Sequence, residues 1–405
     1  MLIDRNCPIC DSAKKNKIDE INFILFENHP INKGYDLVQC NQCSFIFADV
    51  KVSQLELDNY YSLISKYEDK LISTGGGYND HDRSRLIGVA NYISKIFVDK
   101  NIRIADVGCA IGGLLEQLRN NGFNNIVGID PSKSCVEITK NEKNIDCIHS
   151  SLFDLNDSFG KFDLIIISHV WEHILDLSNA INCLEKILSP NGFIYIECPN
   201  AMNYRNTIHA PLQEFNTEHI NHFCENDFMN FFGIRNYSCI DIGNKIVKIA
   251  SGEDYDALYG IFQKNQNSIN YELKFDNNIL ISIEDYINKS RVWFFDILNR
   301  IESELTTEQS VAVYGVGQFA FKLLYEIVHR RPDLEIILFD NNTLNSGKKI
   351  ANFNINKGDT LTNFLKTSQF KIIITSLIHQ TSIKNNIIDL VLKNNLEQPE
   401  IIELK

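Results

Sequence analysis

Apolar and polar positions alternate differently in successive parts of the chain. Residues 1–72 hold short apolar stretches separated by polar turns, whereas residues 73–250 alternate apolar strands with helical spacing. The spacing in 251–305 is mostly helical, and a second alternation of strands and helices fills 306–405. Strands that alternate with helices form parallel sheets. The pattern predicts an α/β protein with a small N-terminal module, two α/β domains and a helical linker between them.

Composition and charge narrow the class of protein. The chain has 405 residues, 44% of them hydrophobic, which is ordinary for a globular protein of two or three domains. A net charge of -13 argues against binding to nucleic acid or to anionic lipid. The start, MLIDRNCPIC, has no apolar core of a signal peptide, and no apolar run approaches the roughly 20 residues that span a bilayer. We therefore expect a cytoplasmic protein with neither nucleic acid nor a membrane as partner.

Two C-x-x-C pairs stand near the start of the chain. They place Cys7, Cys10, Cys40 and Cys43 on two tight turns, separated by a segment that predicts two short strands. Two such turns can present four thiolates to a zinc ion, with no coordination position left open for catalysis. A thioredoxin-like redox pair and four ordinary cysteines are the alternatives, and the odd total of 11 cysteines fits a disulfide framework poorly. The spacing favours a structural Zn²⁺ site.

The first strand of the central domain ends in a glycine-rich turn. IRIADVG carries Asp106 and Gly108, Gly112 precedes a helix, and the next strand ends at Asp130 before Pro131. The glycines allow a sharp turn and close approach of a ligand to the backbone, although they could also serve as plain turn residues. An acid at the end of the second strand is placed to accept both hydroxyls of a ribose. The turn predicts a site for an adenosine-type ligand.

The spacing of this turn separates it from a dinucleotide site. In D-x-G-C-x-x-G, which includes Cys109, an acid precedes the first glycine by two positions and there is no pyrophosphate cradle. The stretch resembles motif I of class I S-adenosylmethionine (SAM) methyltransferases. An aspartate beside the sulfonium and amino group of SAM is electrostatically favourable.

The resemblance extends over about residues 80–245. SSLFDL occupies the position where the family places an acid near the adenine amino group, which implies this role for Asp154, unless it only caps a helix. FDLIIISHVWEHILD matches the fourth strand and its loop, with His169 on the cofactor side. Glu172 and His173 in the same loop could equally brace the following helix. LSPNGFIYIECPN matches the turn into a fifth strand.

The loop after the fifth strand contains several ionisable residues. Among them, Glu218, His219 and His222 are candidates for proton transfer, because histidine is easily poised to accept a proton near neutral pH. A carboxylate that reached the imidazole would orient it. His222 could instead be a packing residue, and we leave Glu214 and His209 as loop residues.

The pattern E-H-x-x-x-F in this loop, together with the zinc segment and the third domain, resembles the sugar C-methyltransferase family. The resemblance implies methylation at carbon 3 of a nucleotide-linked 4-keto-deoxysugar, with His219 as base, Glu218 assisting, and an enolate stabilised by the ketone. Asn216 stands where the family commonly has tyrosine. Either Asn216 or His222 takes that role, or the acceptor is a hydroxyl. In this family the stretch STGGGYNDHDRSRL folds over the cofactor, which implies a contact for Tyr78, unless the stretch is a plain linker.

The C-terminal domain opens with a second glycine-rich turn. Gly315 and Gly317 precede a helix that starts at Gln318, and the next strand ends at Asp340. This is the dinucleotide fingerprint with alanine in the third place, so NAD is one alternative and a purely structural role is another. The resemblance to the C-methyltransferases implies that the domain holds the nucleotide part of the substrate, with the turn facing the diphosphate.

Three functions follow from these observations. The leading one is a SAM-dependent methyltransferase that acts on a nucleotide-activated sugar for a surface polysaccharide or glycosylated metabolite. The second keeps SAM but transfers the methyl group to oxygen or nitrogen of a sugar or small metabolite. The third is a non-catalytic scaffold, which the intact cofactor motif disfavours.

Overall fold

The computed structural model describes residues 5–64, 76–248, 252–268, 270–342, 345–367 and 370–405. Within these ranges the strands form a four-stranded, a seven-stranded and a six-stranded sheet. No helix in the described ranges combines the length and apolarity that crossing a bilayer requires.

The N-terminal sheet is small and receives one strand from far along the chain. Its elements are β1 (Lys15–Asn22), β2 (Gly34–Cys40), β3 (Ile46–Asp49) and β9 (Asn221–His222), in the order β1-β2-β3-β9. β3 and β9 pair antiparallel, with Ile46 opposite His222. Helix α1 (Gln54–Ile64) follows β3.

The seven-stranded sheet forms the central domain. Its strand order is β10-β11-β8-β7-β4-β5-β6, in which β11 runs antiparallel to both neighbours and the pairs from β8 to β6 are parallel. The strands are β4 (Ile104–Val107), β5 (Ile126–Asp130), β6 (Cys147–His149), β7 (Phe162–Ser168), β8 (Leu188–Pro199), β10 (Tyr237–Lys248) and β11 (Asp254–Lys264). The helices are α2 (Asp80–Ile96), α3 (Gly113–Asn120), α4 (Lys133–Lys143), α5 (Leu177–Ile187) and α6 (Glu225–Gly233). This is the class I SAM methyltransferase fold, and the predicted fold class is confirmed.

The central strands of this sheet are nearly continuous apolar runs, because both faces of the sheet are buried. Along β7, Ile165 and Ile167 face one apolar cluster, which includes α5 and α6, while Leu164 and Ile166 face the other, which includes α2 and α3. Because a strand turns successive side chains to opposite faces, a run such as LIII fills both clusters at once. The packing therefore fixes the carboxyl ends of β4, β5, β7 and β8 along one edge.

The predicted helical linker at 251–305 is wrong for its first part. β11 lies there and pairs with β8 from Ala257, opposite Pro199, to Gln263, opposite Phe193. Only the second part is helical, as α7 (Asn278–Glu304). β11 pairs with β10, which directly precedes it, and with the distant strand β8. The pairing with β8 leaves little local signal in the sequence of β11.

The C-terminal sheet has the predicted Rossmann-like arrangement. Its order is β14-β15-β13-β12-β16-β17, and β12 pairs in parallel with both β13 and β16. The strands are β12 (Ser310–Tyr314), β13 (Glu335–Asp340), β14 (Lys349–Ile350), β15 (Phe353–Lys357), β16 (Lys371–Ile374) and β17 (Ile401–Ile402). The helices are α8 (Gln318–Arg330), α9 (Leu361–Leu365) and α10 (Gln380–Lys393).

The chain forms two compact units whose boundaries differ from the predicted domains. The first unit comprises Leu37–Thr207, Glu218–Ile283 and the N-terminal residues through Asp19. The second unit comprises Glu20–Asp36, Ile208–Thr217 and Glu284–Lys405.

The tip of the β1–β2 hairpin belongs to the second unit. The Ile24 amide donates to the Phe321 carbonyl at 3.0 Å, and the rings of Phe26 and Phe321 lie 5.5 Å apart. Phe26 also forms an antiparallel bridge with Ile350. The predicted single module at 1–72 therefore contains residues of both units.

Candidate functional site

The four N-terminal cysteines converge on one point. The Sγ atoms of Cys7 and Cys43, and those of Cys10 and Cys40, are each 3.5 Å apart, and all four thiols are free. All four sulfur atoms lie within 4.8 Å of one another. A tetrahedral zinc ion with bonds of about 2.3 Å spaces its sulfur ligands by about 3.8 Å, so the cluster fits this ion.

Each C-x-x-C turn has the same backbone form. The residue after the second cysteine, Asp11 in one turn and Ser44 in the other, has a positive φ, 59° and 64° respectively. Its amide donates back to the first cysteine of the pair, from Asp11 to Cys7 at 2.9 Å and from Ser44 to Cys40 at 3.1 Å. These bonds hold the two sulfur atoms of each turn on one side.

The turn after β4 brings the backbone close to neighbouring side chains. Gly108 has a φ of 78°, and a Cβ at this position would lie 2.4 Å from Cγ2 of Val170. Gly112, at the start of α3, has a φ of 75° and its Cβ would lie 2.8 Å from Thr139. Cys109 turns its Sγ inward, 3.6 Å from that of Cys147. The side chain of Cys109 therefore packs in the core, and only its backbone can face a cofactor.

Asp130 links the two loops at the ends of β4 and β5. Its Oδ2 accepts from the Ala110 amide at 2.8 Å, and its Oδ1 accepts from the Ser132 amide at 2.9 Å. Each carboxylate oxygen has a second lone pair, so the ribose hydroxyls of SAM would find acceptors here. Pro131 joins the loop to β6, since its carbonyl lies 2.9 Å from Nε2 of His149.

Asp106 is buried at the end of β4. Burial and the charge of Asp130 raise the pKa of Asp106 to about 7, although Arg85 acts in the opposite direction. A cationic ligand would return this carboxyl to its ionised form. The pair of acids thus fits SAM, whose ribose would meet Asp130 and whose sulfonium and amino group would lie near Asp106.

Tyr78 and Asp154 both have exposed side chains. The Tyr78 side chain is 43% exposed, and its hydroxyl donates to Glu142 at 3.1 Å. Gly76 in the same stretch lies against the side chain of Ile111, in the turn after β4. Asp154 is exposed at the end of a 3-10 helix that spans Leu152–Asp154. Cofactor contacts of Tyr78 and Asp154 stay predictions.

His169 follows β7 and lies between two buried carboxylates. Its Nδ1 is 3.4 Å from Oε1 of Glu172, and its Nε2 is 3.2 Å from Oε1 of Glu197. Burial alone would lower the pKa of His169, but these two hydrogen-bonded carboxylates raise it above its usual value. The imidazole is thus oriented by both acids, and the cofactor contact of His169 stays a prediction.

Glu197 on β8 was missed by the sequence analysis. It is fully buried, and its Oε2 accepts from Nζ of Lys245 at 2.7 Å and from the Tyr195 hydroxyl. Burial would raise the pKa of Glu197, but Lys245 and His169 hold it below its usual range. The available signal was a single acid inside the apolar strand FIYIECP.

Glu172, His173 and His219 meet at the carboxyl edge of the sheet. The rings of His173 and His219 are 5.1 Å apart, and Nε2 of His173 lies 3.9 Å from Oε1 of Glu172. One side-chain atom from each of the three residues lies within 4.8 Å of the others, so the group could also hold a metal ion. His173 is oriented by the Glu218 carbonyl, 2.9 Å from its Nδ1.

Glu172 supplies the buried charge of this group. Burial would raise its pKa, but a hydrogen bond with His169 and the nearby His173 and His219 lower the pKa of Glu172 to about 2. The structure places the carboxylate of Glu172 within 4.8 Å of His219, and the assisting role of Glu218 stays a prediction. Glu172 and His173, which the sequence left open as helix-bracing residues, lie together with His219 and join the candidate site.

His222 has surroundings typical of a packing residue. It is fully buried on β9, with Nδ1 3.3 Å from the Tyr204 hydroxyl. Burial and the neighbouring charges of His219 and Arg5 lower the pKa of His222 to about 3. A ring that stays neutral and closed to solvent is unsuited to the predicted catalytic role.

Asn216 and the glycine-rich turn of the second unit are held by internal hydrogen bonds. The buried Asn216 side chain donates to the Gln213 carbonyl at 3.1 Å. Asp340 accepts from the Val316 amide at 3.0 Å, and Gln318 accepts from the Thr217 amide at 3.2 Å. Contacts of Asn216, Gly315, Gly317, Gln318 and Asp340 with a substrate stay predictions.

Comparison with known proteins supports the assignment of the central domain. Residues 78–241 match the family model described as a methyltransferase domain. An uncharacterized protein of Rickettsia prowazekii (strain Madrid E) is 31% identical over 132 residues, 29% of this chain and 53% of that protein. The ubiquinone biosynthesis O-methyltransferase of Pelagibacter ubique (strain HTCC1062) is 36% identical over 106 residues, 25% of this chain and 43% of that protein.

Among solved structures, magnesium protoporphyrin IX methyltransferase from Synechocystis PCC 6803 with bound SAH is similar at 14% identity and a TM-score of 0.40. The match covers 53% of this chain and 100% of that chain. The chain spans about half, or less, of the length of the curated relatives described above. The family match and the strand order together define a methyltransferase domain in the middle of the chain.

Proposed function

We propose that the protein is a SAM-dependent methyltransferase that methylates a nucleotide-activated keto-deoxy sugar at carbon, with His219 as the general base. The observation that carries this proposal is the group formed by Glu172, His173 and His219. It lies on loops that leave β7 and β8 at the same sheet edge as Asp106 and Asp130, where ligands of open α/β sheets bind.

Each of the three residues has its own role in removing the proton. The His219 imidazole takes the proton from the carbon next to the ketone, and the electron pair left behind is delocalised onto the keto oxygen. The buried carboxylate of Glu172 stabilises the imidazolium that forms. His173, which is held by the Glu218 carbonyl, packs against the His219 ring.

SAM would supply an electrophilic methyl group to this carbanion. Asp130 would hold its ribose and Asp106 would compensate its positive charge, because both carboxyls lie at the ends of adjacent strands. Transfer of this methyl group to the acceptor carbon would release the uncharged thioether, and His219 would hold the abstracted proton until it passes to solvent.

Methyl transfer to oxygen or nitrogen of a sugar or small metabolite is the second candidate. It is favoured by the similarity of the central domain to ubiquinone biosynthesis O-methyltransferases, and by Asn216 at the position where the C-methyltransferases commonly have tyrosine. Both reactions need a base and an aligned acceptor, so the same group serves either.

A panel of nucleotide sugars offered with SAM tests the proposal. We expect a mass increase of one methylene unit for a keto-deoxy sugar, located at carbon by fragmentation. Incubation of the same sugar in heavy water without SAM should introduce deuterium beside the ketone. Methylated product without such exchange would favour the hydroxyl or amine acceptor instead.

A parallel set of assays tests whether Glu172, His173 and His219 bind a metal ion. A chelator that spares the cysteine cluster, followed by Mg²⁺ or Mn²⁺, should leave the rate unchanged if His219 acts as a base. A rate that depends on the added ion would assign Glu172, His173 and His219 to an ion and contradict the proposed base.

A further inference from the structure

A lysine is buried in the second unit without a hydrogen-bonding partner. Lys322, on the second turn of α8, is only 3% exposed, and its Nζ makes no hydrogen bond to any described residue. Its ammonium lies 5.5 Å from the centre of the Phe23 ring. Buried ammonium groups normally pair with a carboxylate or carbonyl, so this one is unusual.

Polar groups of α8 and of the loop at 208–217 belong to the same unit as Lys322. One turn earlier on α8, Gln318 donates to the Thr217 hydroxyl at 2.9 Å. In the same loop the Glu214 backbone amide donates to the Tyr286 hydroxyl of α7 at 3.0 Å. The charge of Glu214 in the loop favours the ammonium form of Lys322. Tyr286 on α7 lies beside Glu214, and the ring of Tyr35 on β2 lies 5.8 Å from that of Phe23.

The attraction of Glu214 does not compensate for burial. Burial lowers the pKa of Lys322 to about 7, although the charge of Glu214 acts in the opposite direction. Removing an ammonium from water without a close partner costs several kcal/mol. An apolar side chain of the same length would fill the space at lower cost, so packing does not account for a lysine at this position.

We propose that Lys322 is the charged centre of an anion-binding site in the second unit, and that its ligand is a phosphate group. Gln318, one turn before Lys322 on α8, and its hydrogen-bonded partner Thr217 supply polar groups, and the amino end of α8 adds its positive dipole. The inference rests on the proposed function only for the carrier of that phosphate, a nucleoside diphosphate.

Binding of a phosphate at this site should be coupled to the uptake of a proton. Near pH 8 the unliganded Lys322 is largely neutral, because burial lowers its pKa to about 7. A bound phosphate favours the ammonium form, so binding takes up a proton from the buffer. Neutral tyrosines at positions 35 and 286 cannot supply this change, since burial raises the pKa of both well above the usual value.

Calorimetry of the full chain with uridine diphosphate and thymidine diphosphate tests the inference. At pH 8, in two buffers of different ionisation enthalpy, the wild-type protein should bind at least one diphosphate with proton uptake. Lys322→Met should weaken binding roughly 10- to 100-fold and abolish the uptake. Unchanged affinity and uptake in this variant would overturn the anion site.

Lys348→Met provides the matched control. Lys348 lies 5.5 Å from the Phe26 ring, the same distance as Lys322 from Phe23, but it is half-buried. This variant should bind the diphosphate as the wild type does. An equal loss in both variants would mean that lysines of the unit attract anions nonspecifically, which contradicts a built site.

A further measurement on the wild-type protein covers the case in which Lys322→Met fails to fold. An amine-reactive sulfonate reagent, followed by peptide mapping, should modify Lys322 slowly in the free protein and more slowly still with the diphosphate bound. Inorganic phosphate that protects equally well supports the anion site and identifies free phosphate as sufficient. No protection by either compound would contradict the site.

SAM titrations of the same samples separate this inference from the proposed function. SAM binding without any diphosphate binding removes the anion site and leaves methyl transfer intact. Diphosphate binding through Lys322 without SAM binding removes the proposed methyl transfer and leaves the anion site intact.

Discussion

At the scale of single residues, the buried acids of the central domain differ in how their charge is compensated. Glu172 lies beside histidines, and its pKa is lowered to about 2 despite burial. Asp106 is buried near another acid, and its pKa is raised to about 7. Glu172 is therefore ionised at neutral pH, whereas Asp106 is close to half-protonated.

The raised pKa of Asp106 makes SAM binding depend on pH. Below pH 7 the carboxyl is protonated in the free protein and must lose its proton to pair with the cation. The affinity for SAM should therefore fall by up to about tenfold per pH unit between pH 7 and pH 5, as measured by calorimetry.

Asp106→Asn serves as the control for this titration. The amide removes the ionisation, so affinity should be weak and should not change over the same pH range. A wild-type affinity that is constant from pH 8 to pH 5 would contradict the role of Asp106.

His219→Ala tests the base. The variant should lose roughly 10²- to 10⁴-fold in turnover and keep its affinity for SAM, because the imidazole acts on the acceptor. His209→Ala, which removes a half-buried histidine of the preceding loop, should retain full turnover. Normal turnover of the His219 variant would exclude this residue as the base.

At the scale of elements, two glycines of the central domain should respond to alanine in opposite directions. Gly108 has a φ of 78° and its Cβ would lie 2.4 Å from Val170, so Gly108→Ala should destabilise the protein by roughly 1–3 kcal/mol. Gly88 lies on the exposed face of α2, where a Cβ would meet no described heavy atom within 4 Å. Gly88→Ala should stabilise by roughly 0.5–1 kcal/mol.

Denaturant unfolding of both glycine variants measures these changes. Destabilisation by Gly88→Ala, or a neutral Gly108→Ala, would contradict the local geometry described for these elements.

The two C-x-x-C turns should bind one zinc ion together, and the loss of one cysteine should weaken the whole site. Cys40→Ser removes one of four converging sulfur atoms, so the zinc content should fall from about one ion per chain, with a lower melting temperature. Elemental analysis and thermal unfolding measure both quantities. Cys239→Ser, at a half-buried cysteine outside the cluster, should change neither. Equal metal content in the two variants would contradict the cluster as a zinc site.

At the scale of the whole molecule, the second unit is assembled from three separate parts of the chain. A chain that ends at residue 305 lacks Phe321 and Ile350, against which Phe26 packs in the complete protein. This truncation should expose apolar surface and lower both the yield of folded protein and its melting temperature. A truncated chain as stable as the complete protein would contradict this organisation.

The sequence predicts those parts of the molecule whose signals are local. The strands β4 and β7 are apolar runs because both of their faces are buried, and the glycines after β4 follow from close backbone contacts. β11 escaped prediction because its place inside the sheet depends on pairing with the distant strand β8. The predicted 251–305 linker fails for that reason.

The candidate site divides in the same way. The cysteine pairs and Asp130 stand in motifs with fixed spacing, so the sequence indicates them. Glu197 has no such motif, and the proximity of Glu172 to His219 arises only when the loops after β7 and β8 meet. Chemistry shared between distant loops is therefore visible only in the fold.

The second unit is built from three separate segments of the chain, and this limits how recombination can produce new variants of the protein. A single genetic crossover replaces a contiguous stretch, so it would import a foreign C-terminal segment without the matching hairpin tip and loop at 20–36 and 208–217. We expect such chimaeras to fail in folding even when each parent is stable. New ligand preferences in this unit should then arise by stepwise substitution of single residues. Exchange of whole domains should rarely give a folded protein.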